Sequence, residues 1–302
     1  MTKQRNVALR LLGAGIAIAS IASLSSCNIV RAGTRCVANS PAARDSTHVL
    51  FCRGGRWTKT LTFGEAARVI FAKTPTKVEL VSKADVSTAA GTFFPAVTVR
   101  VLNPFGDGIE GAVVNLSTAD SVGGAGIAGG LATPATTGPG GTLTFTPAAN
   151  TSAGTLKLLA SASNANGPTE PAVVSLTVTA GPVTNVAVVS GAGQSTVELT
   201  NFAQPVVIKA SDAFGNGVSG LELATFSLNG CVTQAIGTPT STTGAAGTAS
   251  ITLTGNLPFG MTTCSDTVAT GRAAGSSPGT PGSPGSPSVT YSMNVTSIPL
   301  AP

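Results

Sequence analysis

Runs in which apolar and polar residues alternate recur along most of the chain. Val97, Val99 and Val101, for example, are separated by single polar residues. Such alternation places one set of side chains in a core and the other toward solvent, as in a sandwich strand. The pattern predicts further strands at 113–116, 143–146, 156–162, 173–178, 206–210, 223–226, 248–253, 266–270 and 289–295. Helical periodicity is confined to 64–71, so the sequence predicts an all-β chain built of sandwiches.

Two segments of the sequence occur twice, in the same order. Residues 103–111 match residues 212–220 at an offset of 109, and residues 138–145 match residues 244–251 at an offset of 106. Because the two offsets are nearly equal, the sequence predicts two copies of one domain of about 105 residues.

The first repeated segment contains a turn in which Asn or Asp is followed, two residues later, by Phe-Gly and a second Asn or Asp. The turn residues are Asn103, Phe105, Gly106 and Asp107 in the first copy, and Asp212, Phe214, Gly215 and Asn216 in the second. Gly adopts a positive φ without steric cost, and Asn and Asp do so at modest cost, which suits a tight turn. We expect each Phe to cover the end of the core of its own copy.

The turn, the strand after it and the later Gly-x-x-Gly-Thr segment resemble the bacterial Ig-like domain of the invasin and intimin type. The second copy matches that pattern, whereas Asn103 and Asp107 in the first copy exchange the two residue types. The resemblance extends over about 220 of the 302 residues. It implies two tandem Ig-like β-sandwiches and the role of an extracellular spacer, because stiff rods of such domains hold an adhesive part away from the cell.

The first 26 residues have the layout of an export signal. Lys3, Arg5 and Arg10 give a positive start, residues 11–24 are almost wholly apolar, and the stretch ends in Leu-Ser-Ser-Cys27. An apolar run of this length is typical of a signal peptide and too short to span a bilayer. The ending resembles the lipobox of bacterial lipoproteins, which implies cleavage before Cys27 and lipid attachment to it. An ordinary cleaved signal, or an anchor that is never cut, is the alternative.

Lipid attachment would decide where the protein resides. Several acyl chains on one residue suffice for stable anchoring to a membrane. In lipoproteins an Asp after the lipidated Cys favours the inner membrane, and this chain has Asn28 there. We therefore expect an outer-membrane lipoprotein, facing either the cell surface or the periplasm.

The cysteine count agrees with export. The chain has five Cys, and lipid attachment at Cys27 leaves Cys36, Cys52, Cys231 and Cys264. Four Cys allow three connectivities. Proximity in sequence favours Cys36–Cys52 and Cys231–Cys264, which an oxidising compartment permits.

Charge is distributed unevenly. Residues 31–83 contain ten basic and three acidic residues, a formal charge of +7, whereas residues 84–302 contain four basic and nine acidic residues, a formal charge of −5. A basic segment beside a lipid anchor can lie on anionic headgroups, although a solvated surface explains it as well. Nucleic acid is not an expected partner, because the basic segment lacks interleaved aromatic residues for base stacking.

Residues with catalytic or metal-binding chemistry are scarce. His48 is the only His, and the sequence has no Cys-x-x-Cys, nucleophile-elbow or phosphate-loop motif. We therefore expect no catalytic residue, no metal and no cofactor.

These observations predict a non-enzymatic, lipid-anchored envelope protein that acts as a structural spacer or adhesin-like surface protein. Its partner would be a protein or a surface polysaccharide. The alternative is a periplasmic envelope-binding or assembly factor whose basic module contacts anionic wall or lipopolysaccharide groups. The predicted parts are the lipoprotein signal peptide 1–26, a small basic disulfide module 27–73, and Ig-like domains 74–180 and 181–298.

Overall fold

The computed structural model describes residues 28–234, 240–272 and 287–298. The predicted export signal and Cys27 lie outside these ranges. The described residues form a small N-terminal module followed by two β-sandwiches, which confirms the predicted all-β fold with two Ig-like sandwiches.

The N-terminal module is a three-stranded antiparallel sheet with one helix beside it. Its elements are β1 (Ala43–Arg44), β2 (His48–Arg53), β3 (Arg56–Thr62) and α1 (Phe63–Phe71). The helix starts after Thr62 because the Thr62 hydroxyl accepts the Glu65 N–H at 3.2 Å and the Glu65 carboxylate accepts the Thr62 N–H at 2.9 Å. The helix predicted at 64–71 is thus confirmed, and the disulfide Cys36–Cys52 ties the preceding loop to β2.

The first sandwich pairs a three-stranded sheet with a larger one. Its strands are β4 (Lys77–Leu80), β5 (Asp85–Ala89), β6 (Val97–Leu102), β7 (Val113–Val122), β8 (Ala135–Thr136), β9 (Thr142–Phe145), β10 (Gly154–Asn164), β11 (Gly167–Pro168) and β12 (Ala172–Thr179), with a 3-10 turn at Pro139–Gly141. One sheet has the order β4-β6-β9 and the other β5-β12-β10-β7-β8, with β11 paired to β10. Paired strands are antiparallel except β5 and β12, which run parallel.

The second sandwich repeats this arrangement. Its strands are β13 (Asn185–Ser190), β14 (Ser195–Val197), β15 (Val206–Ser211), β16 (Glu222–Ser227), β17 (Val232–Gln234), β18 (Thr240–Thr242), β19 (Thr248–Ile251), β20 (Leu253–Gly255), β21 (Thr263–Arg272) and β22 (Ser288–Thr296). The sheet orders are β13-β15-β19 and β14-β22-β21-β16-β18, with β17 paired to β20. The parallel pair recurs as β14 and β22, so the sequence repeat is a repeat of the fold. The disulfide Cys231–Cys264 lies in this sandwich.

Each sandwich has its own core. Val97, Val99 and Val101 of β6 are completely buried in the first, and Val206 and Ile208 of β15 are completely buried in the second. Burying each such side chain stabilises the fold by about 1.5–3 kcal/mol, and a slip of one residue would turn the whole set outward. Because β6 and β15 lead directly into the repeated turns, both turns emerge at the same end of their sandwiches.

Candidate functional site

The turn of the second sandwich is held by the buried side chain of Asp212. Its Oδ1 accepts hydrogen bonds from the N–H groups of Phe214 and Asn216, both at 2.9 Å. The Gly215 N–H donates to the Asp212 carbonyl at 3.1 Å, and Gly215 has a φ of 86°. The carboxylate oxygen thus satisfies two N–H groups inside the turn, as Asx side chains do in such turns.

The turn of the first sandwich has the same internal bonds. Oδ1 of the buried Asn103 accepts the N–H groups of Phe105 and Asp107, both at 2.9 Å, and the Gly106 N–H donates to the Asn103 carbonyl at 3.1 Å. Gly106 has a φ of 81°. The amide oxygen of Asn103 and the carboxylate oxygen of Asp212 therefore accept the same two N–H groups inside their turns.

The turn of the second sandwich also contacts the first sandwich. The Asn216 amide donates to the Thr151 carbonyl at 2.9 Å, and its oxygen accepts the Ala153 N–H at 2.9 Å. The half-exposed ring of Phe214 lies on Gly91, where an added Cβ would stand 3.0 Å from the ring Cζ. A bidentate amide contact and a ring on a glycine together define the junction between the two sandwiches, here called the second junction.

The turn of the first sandwich contacts the N-terminal module at what we call the first junction. The Asn103 amide donates to the Ala72 carbonyl at 3.3 Å. Arg68 of α1 places its guanidinium 5.0 Å from the centre of the Phe105 ring and 3.9 Å from the Asp107 carboxylate. Both partners of that ion pair are well exposed, so the pair contributes about 0–1 kcal/mol.

The neighbouring backbone explains why the two turns exchange Asn and Asp. The outward atom of Asn103 faces the Ala72 carbonyl, which needs a donor, and Asn supplies an N–H. The outward Oδ2 of Asp212 faces the Gly181 N–H at 2.8 Å, which needs an acceptor, and Asp supplies an oxygen. The departure of the first copy from the Ig-like pattern is therefore matched to the unit that precedes it.

The ionisation of Asp212 belongs to the same contact. Burial raises the pKa of this carboxyl, but hydrogen bonds from the Asn216 side chain and from the N–H groups of Gly181, Phe214 and Asn216 outweigh burial and lower it below its ordinary value. Asp212 is consequently charged at neutral pH. Its charge is stabilised by donors of the turn and by Gly181, which lies in the linker between β12 and β13.

Close backbone contacts keep each turn in place. A Cβ on Gly108 would stand 1.9 Å from the Gly140 carbonyl oxygen, and a Cβ on Gly217 would stand 2.2 Å from that of Ala246. No other residue fits at these two positions without movement of the backbone. This contact joins the turn segment to the later Gly-x-x-Gly-Thr segment, which explains why the two segments repeat together.

Sequence reasoning missed a repeated buried threonine behind each turn. The Thr137 hydroxyl accepts the Ala112 N–H at 2.9 Å, and the Thr243 hydroxyl accepts the Leu221 N–H at 2.9 Å. Each hydroxyl also donates to a carbonyl of the turn segment. A Thr at an offset of 106 in both copies was the available signal.

The remaining predicted site residues are the four disulfide cysteines, and the two Phe of the turns differ from their expected positions. The structure contains both disulfides that proximity in sequence favours, Cys36–Cys52 and Cys231–Cys264. Phe214 lies on the neighbouring sandwich instead of over its own core, which corrects the expectation stated for it. Phe105 likewise faces Arg68 of the module.

Catalytic or metal-binding geometry is not found at the junctions. His48 contacts the Thr47 hydroxyl at 2.7 Å and stands 4.0 Å from the Asp45 carboxylate on the module surface. Within 28–234, 240–272 and 287–298, the structure has no cluster of three or more His, Cys, Asp or Glu side chains suited to a metal ion. No helix in the same part of the chain is long and apolar enough to cross a membrane.

Fold and junctions together define a chain of tandem Ig-like β-sandwiches whose consecutive units dock through one repeated turn. No family model matches the sequence, and no curated protein matches it. Among solved structures, the chain is similar to the Escherichia coli adhesin FdeC, with 18% identity over 73% of this chain and 64% of that one and a TM-score of 0.40.

Two proteins of Yersinia pseudotuberculosis are also similar. InvD has 14% identity over 75% of this chain and 58% of that one, with a TM-score of 0.44. The adhesin InvE has 14% identity over 74% of this chain and 60% of that one, with a TM-score of 0.29. The match thus spans about three fifths of each of these solved chains.

Proposed function

We propose that the chain is a non-enzymatic, lipid-anchored protein of the cell envelope that acts as a spacer or adhesin-like surface protein. In this role the stacked units hold a partner-binding surface at a distance from the membrane. The observation that carries the proposal is the second junction, where the turn of one sandwich binds the backbone of the sandwich before it.

The second junction supplies the stiffness that a spacer needs. Asn216 makes two hydrogen bonds to the first sandwich, and Asp212 makes one to the linker at Gly181. Each such bond contributes about 0.5–1.5 kcal/mol net, and a bond to a charged group contributes more. Bonds in several directions restrict rotation of one sandwich against the other, which a flexible linker does not do.

The anchor is tested on the mature protein. Mass spectrometry of its N-terminal peptide should find a cleaved chain that begins at Cys27 and carries diacylglycerol and an acyl group. The variant Cys27→Ser should lose that mass and leave the membrane fraction. An unmodified N-terminus at another residue would contradict the lipid anchor while leaving the spacer role open.

Protease treatment of intact cells tests the surface role. A surface spacer should be cleaved by external protease while a periplasmic control protein stays intact. Resistance until the outer membrane is opened would contradict the surface role and favour the second candidate function below.

That second candidate is a periplasmic factor that binds anionic envelope groups, and the N-terminal module favours it. Arg35 lies opposite Arg56 in a β-bridge, and Arg56 pairs with Arg53 across β2 and β3. All three are exposed. Like charges on facing strand positions destabilise a sheet unless an anion neutralises them, so these arginines suit phosphate or carboxylate groups of the envelope.

Binding to vesicles containing phosphatidylglycerol tests the second candidate. The double variant Arg35→Gln/Arg53→Gln should weaken salt-sensitive binding. The control Lys157→Gln/Lys209→Gln removes the same charge from the sandwiches and should bind like wild type. Equal binding by both double variants would contradict a specific role for the arginines.

A further inference from the structure

Asn216 of the second junction is followed directly by Gly217. In an Asn-Gly sequence the glycine nitrogen can attack the side-chain amide carbon of the asparagine, because glycine has no Cβ to hinder the approach. The chain has two further Asn-Gly sequences, which begin at Asn166 and Asn229. Among the three asparagines, Asn216 is the one whose side chain joins the two sandwiches.

The reaction needs only water as a co-reactant. The Gly217 nitrogen forms a bond to Cγ of Asn216, the Cγ–Nδ2 bond breaks, and the amide nitrogen leaves as ammonia with the proton that Gly217 gives up. Water then opens the resulting succinimide ring at one of its two carbonyl carbons. The products are an aspartate in an ordinary main chain and an isoaspartate, whose main chain runs through the former side chain and is one carbon atom longer.

The closed junction holds the Asn216 amide away from this attack. Its oxygen accepts the Ala153 N–H, and its nitrogen donates to the Thr151 carbonyl and to Asp212 Oδ2, all at 2.9 Å. Three directed bonds fix the plane of the amide group. Attack by the Gly217 nitrogen requires the side chain to rotate out of these bonds, so the junction has to open first.

The attacking nitrogen is held as well. Gly217 lies so close to the Ala246 carbonyl that a Cβ would stand 2.2 Å from its oxygen. The Asn216 carbonyl, which shares a peptide plane with the Gly217 nitrogen, accepts the Asp212 N–H at 3.0 Å. The nitrogen therefore stays in place as long as the turn keeps its contacts.

The two turns show why the product does not fit. Each turn pairs one carboxylate with one amide, Asn103 with Asp107 in the first and Asp212 with Asn216 in the second. Deamidation of Asn216 would give the second turn two carboxylates. The new oxygen would replace the amide nitrogen that now stands 2.9 Å from Asp212 Oδ2, and two carboxylates that share a site repel each other.

The contact across the junction would be lost with the contact inside the turn. A carboxylate has no N–H to donate, so the Thr151 carbonyl would lose the donor that Asn216 supplies. The isoaspartate would also lengthen a turn whose backbone fits closely against Ala246. Both products therefore favour an open junction, and the release of ammonia makes the change irreversible.

We propose that Asn216 is a deamidation site that the second junction protects, and that its deamidation converts the stiff pair of sandwiches into a flexible pair. The site reacts only in molecules whose junction has opened locally, so its rate reports how often the junction opens. The inference rests on the stiffness that the proposed spacer role uses and does not depend on the lipid anchor.

Peptide mass spectrometry of the full chain, incubated in mildly alkaline buffer, tests the protection. Asn166 lies exposed between β10 and β11 and is the internal reference. Asn216 should deamidate more than about tenfold more slowly than Asn166, because three hydrogen bonds must break first. Phe214→Ala removes the ring from Gly91 and should raise the Asn216 rate by at least about threefold. The control Phe105→Ala removes the equivalent ring from the first turn and should leave that rate unchanged.

The variant Asn216→Asp tests the consequence, because it has the chemistry of the first product. Residual dipolar couplings should require two alignment tensors for the two sandwiches of this variant. One tensor should fit wild type and the control Asn166→Asp, which places the same charge in the exposed turn between β10 and β11.

Three results would overturn the proposal. One is an Asn216 rate in wild type equal to that of Asn166, and another is an Asn216 rate that Phe214→Ala leaves unchanged. The third is a single tensor for a folded Asn216→Asp. Each of these leaves the spacer role intact as long as one tensor fits wild type, whereas separate tensors for wild type would overturn both.

Discussion

The two junctions are built from the same turn and differ in what the turn offers to its neighbour. At the second junction, three hydrogen bonds of 2.8–2.9 Å join Asp212 and Asn216 to the first sandwich and the linker. At the first, Asn103 makes one bond of 3.3 Å, and an exposed pair links Arg68 to Asp107. The hydrogen bonds inside the turn are the same at both junctions. The outward atom of the Asn or Asp side chain differs, because the neighbouring backbone offers a carbonyl at one junction and an N–H at the other.

The difference predicts unequal stiffness. Hydrogen bonds to backbone groups have fixed directions, whereas an exposed ion pair tolerates many geometries and contributes little. We therefore expect the two sandwiches to move as one body and the N-terminal module to move more freely. A stiff pair of sandwiches on a more mobile base is what the proposed spacer role requires.

The largest expected effect comes from disrupting the close backbone contact between Gly217 and Ala246 that keeps the second turn in place. Gly217→Ala would drive a Cβ into the Ala246 carbonyl and should destabilise the second sandwich by about 3 kcal/mol. Denaturant unfolding of the chain would show this as an earlier transition of that sandwich. Gly244→Ala, whose Cβ would meet the Thr248 carbonyl oxygen at an ordinary 3.8 Å, is the matched control and should cost far less.

Removal of the Asx side chains comes next. Asp212→Ala leaves the N–H groups of Phe214, Asn216 and Gly181 without the acceptor of their partly buried hydrogen bonds, and we expect a loss of about 2–3 kcal/mol. Asn103→Ala removes the same two internal bonds and the longer 3.3 Å bond to the Ala72 carbonyl, with no charged group involved, so it should cost less. Denaturant unfolding of each variant measures the loss in the free energy of unfolding. A larger loss for Asn103→Ala than for Asp212→Ala would contradict this prediction.

Acid should weaken the second junction and spare the Asn103 side chain of the first. The pKa of Asp212 is lowered in the folded chain, so its contribution is present above its unfolded pKa of about 3.9 and is lost as pH falls through the folded value. The Gly181 amide resonance should shift in that low-pH range. Asp212→Asn should abolish the shift, and a shift that persists in this variant would assign it to another group.

The smallest effect is expected at the exposed ion pair. Asp107→Asn removes the charge that faces Arg68 and keeps an oxygen and an N–H in place. We expect a change within about 0.5 kcal/mol, measured by thermal unfolding at low and high salt. A change above 1 kcal/mol that salt reduces would show that this pair contributes more than its exposure indicates.

The sequence predicted the elements of the fold better than the contacts between units. The alternation at Val97, Val99 and Val101 is a local property of the strand, and the repeat disclosed both turns. What the outward atoms of Asn103 and Asp212 contact depends on chain segments that only the fold brings together. For the same reason Phe214 was expected over its own core, although it lies on Gly91.

The exposed apolar loops at the far end of the second sandwich show the same limit. Leu199 corresponds to Gly91 only through paired threonine bonds that become visible in three dimensions. In the sequence, Phe259 and Ile298 are separate apolar residues in separate loops. Their common position at one end follows from strand order, which alternation alone does not determine.

Residual dipolar couplings measured on the weakly aligned chain test the central claim most directly. If the second junction is stiff, one alignment tensor should fit the amides of both sandwiches, and Asn216→Ala should require two tensors while each sandwich keeps its own fold. The control Asn115→Ala, on an exposed position of β7, should behave like wild type. Separate tensors for the two sandwiches of the wild-type chain would contradict the account.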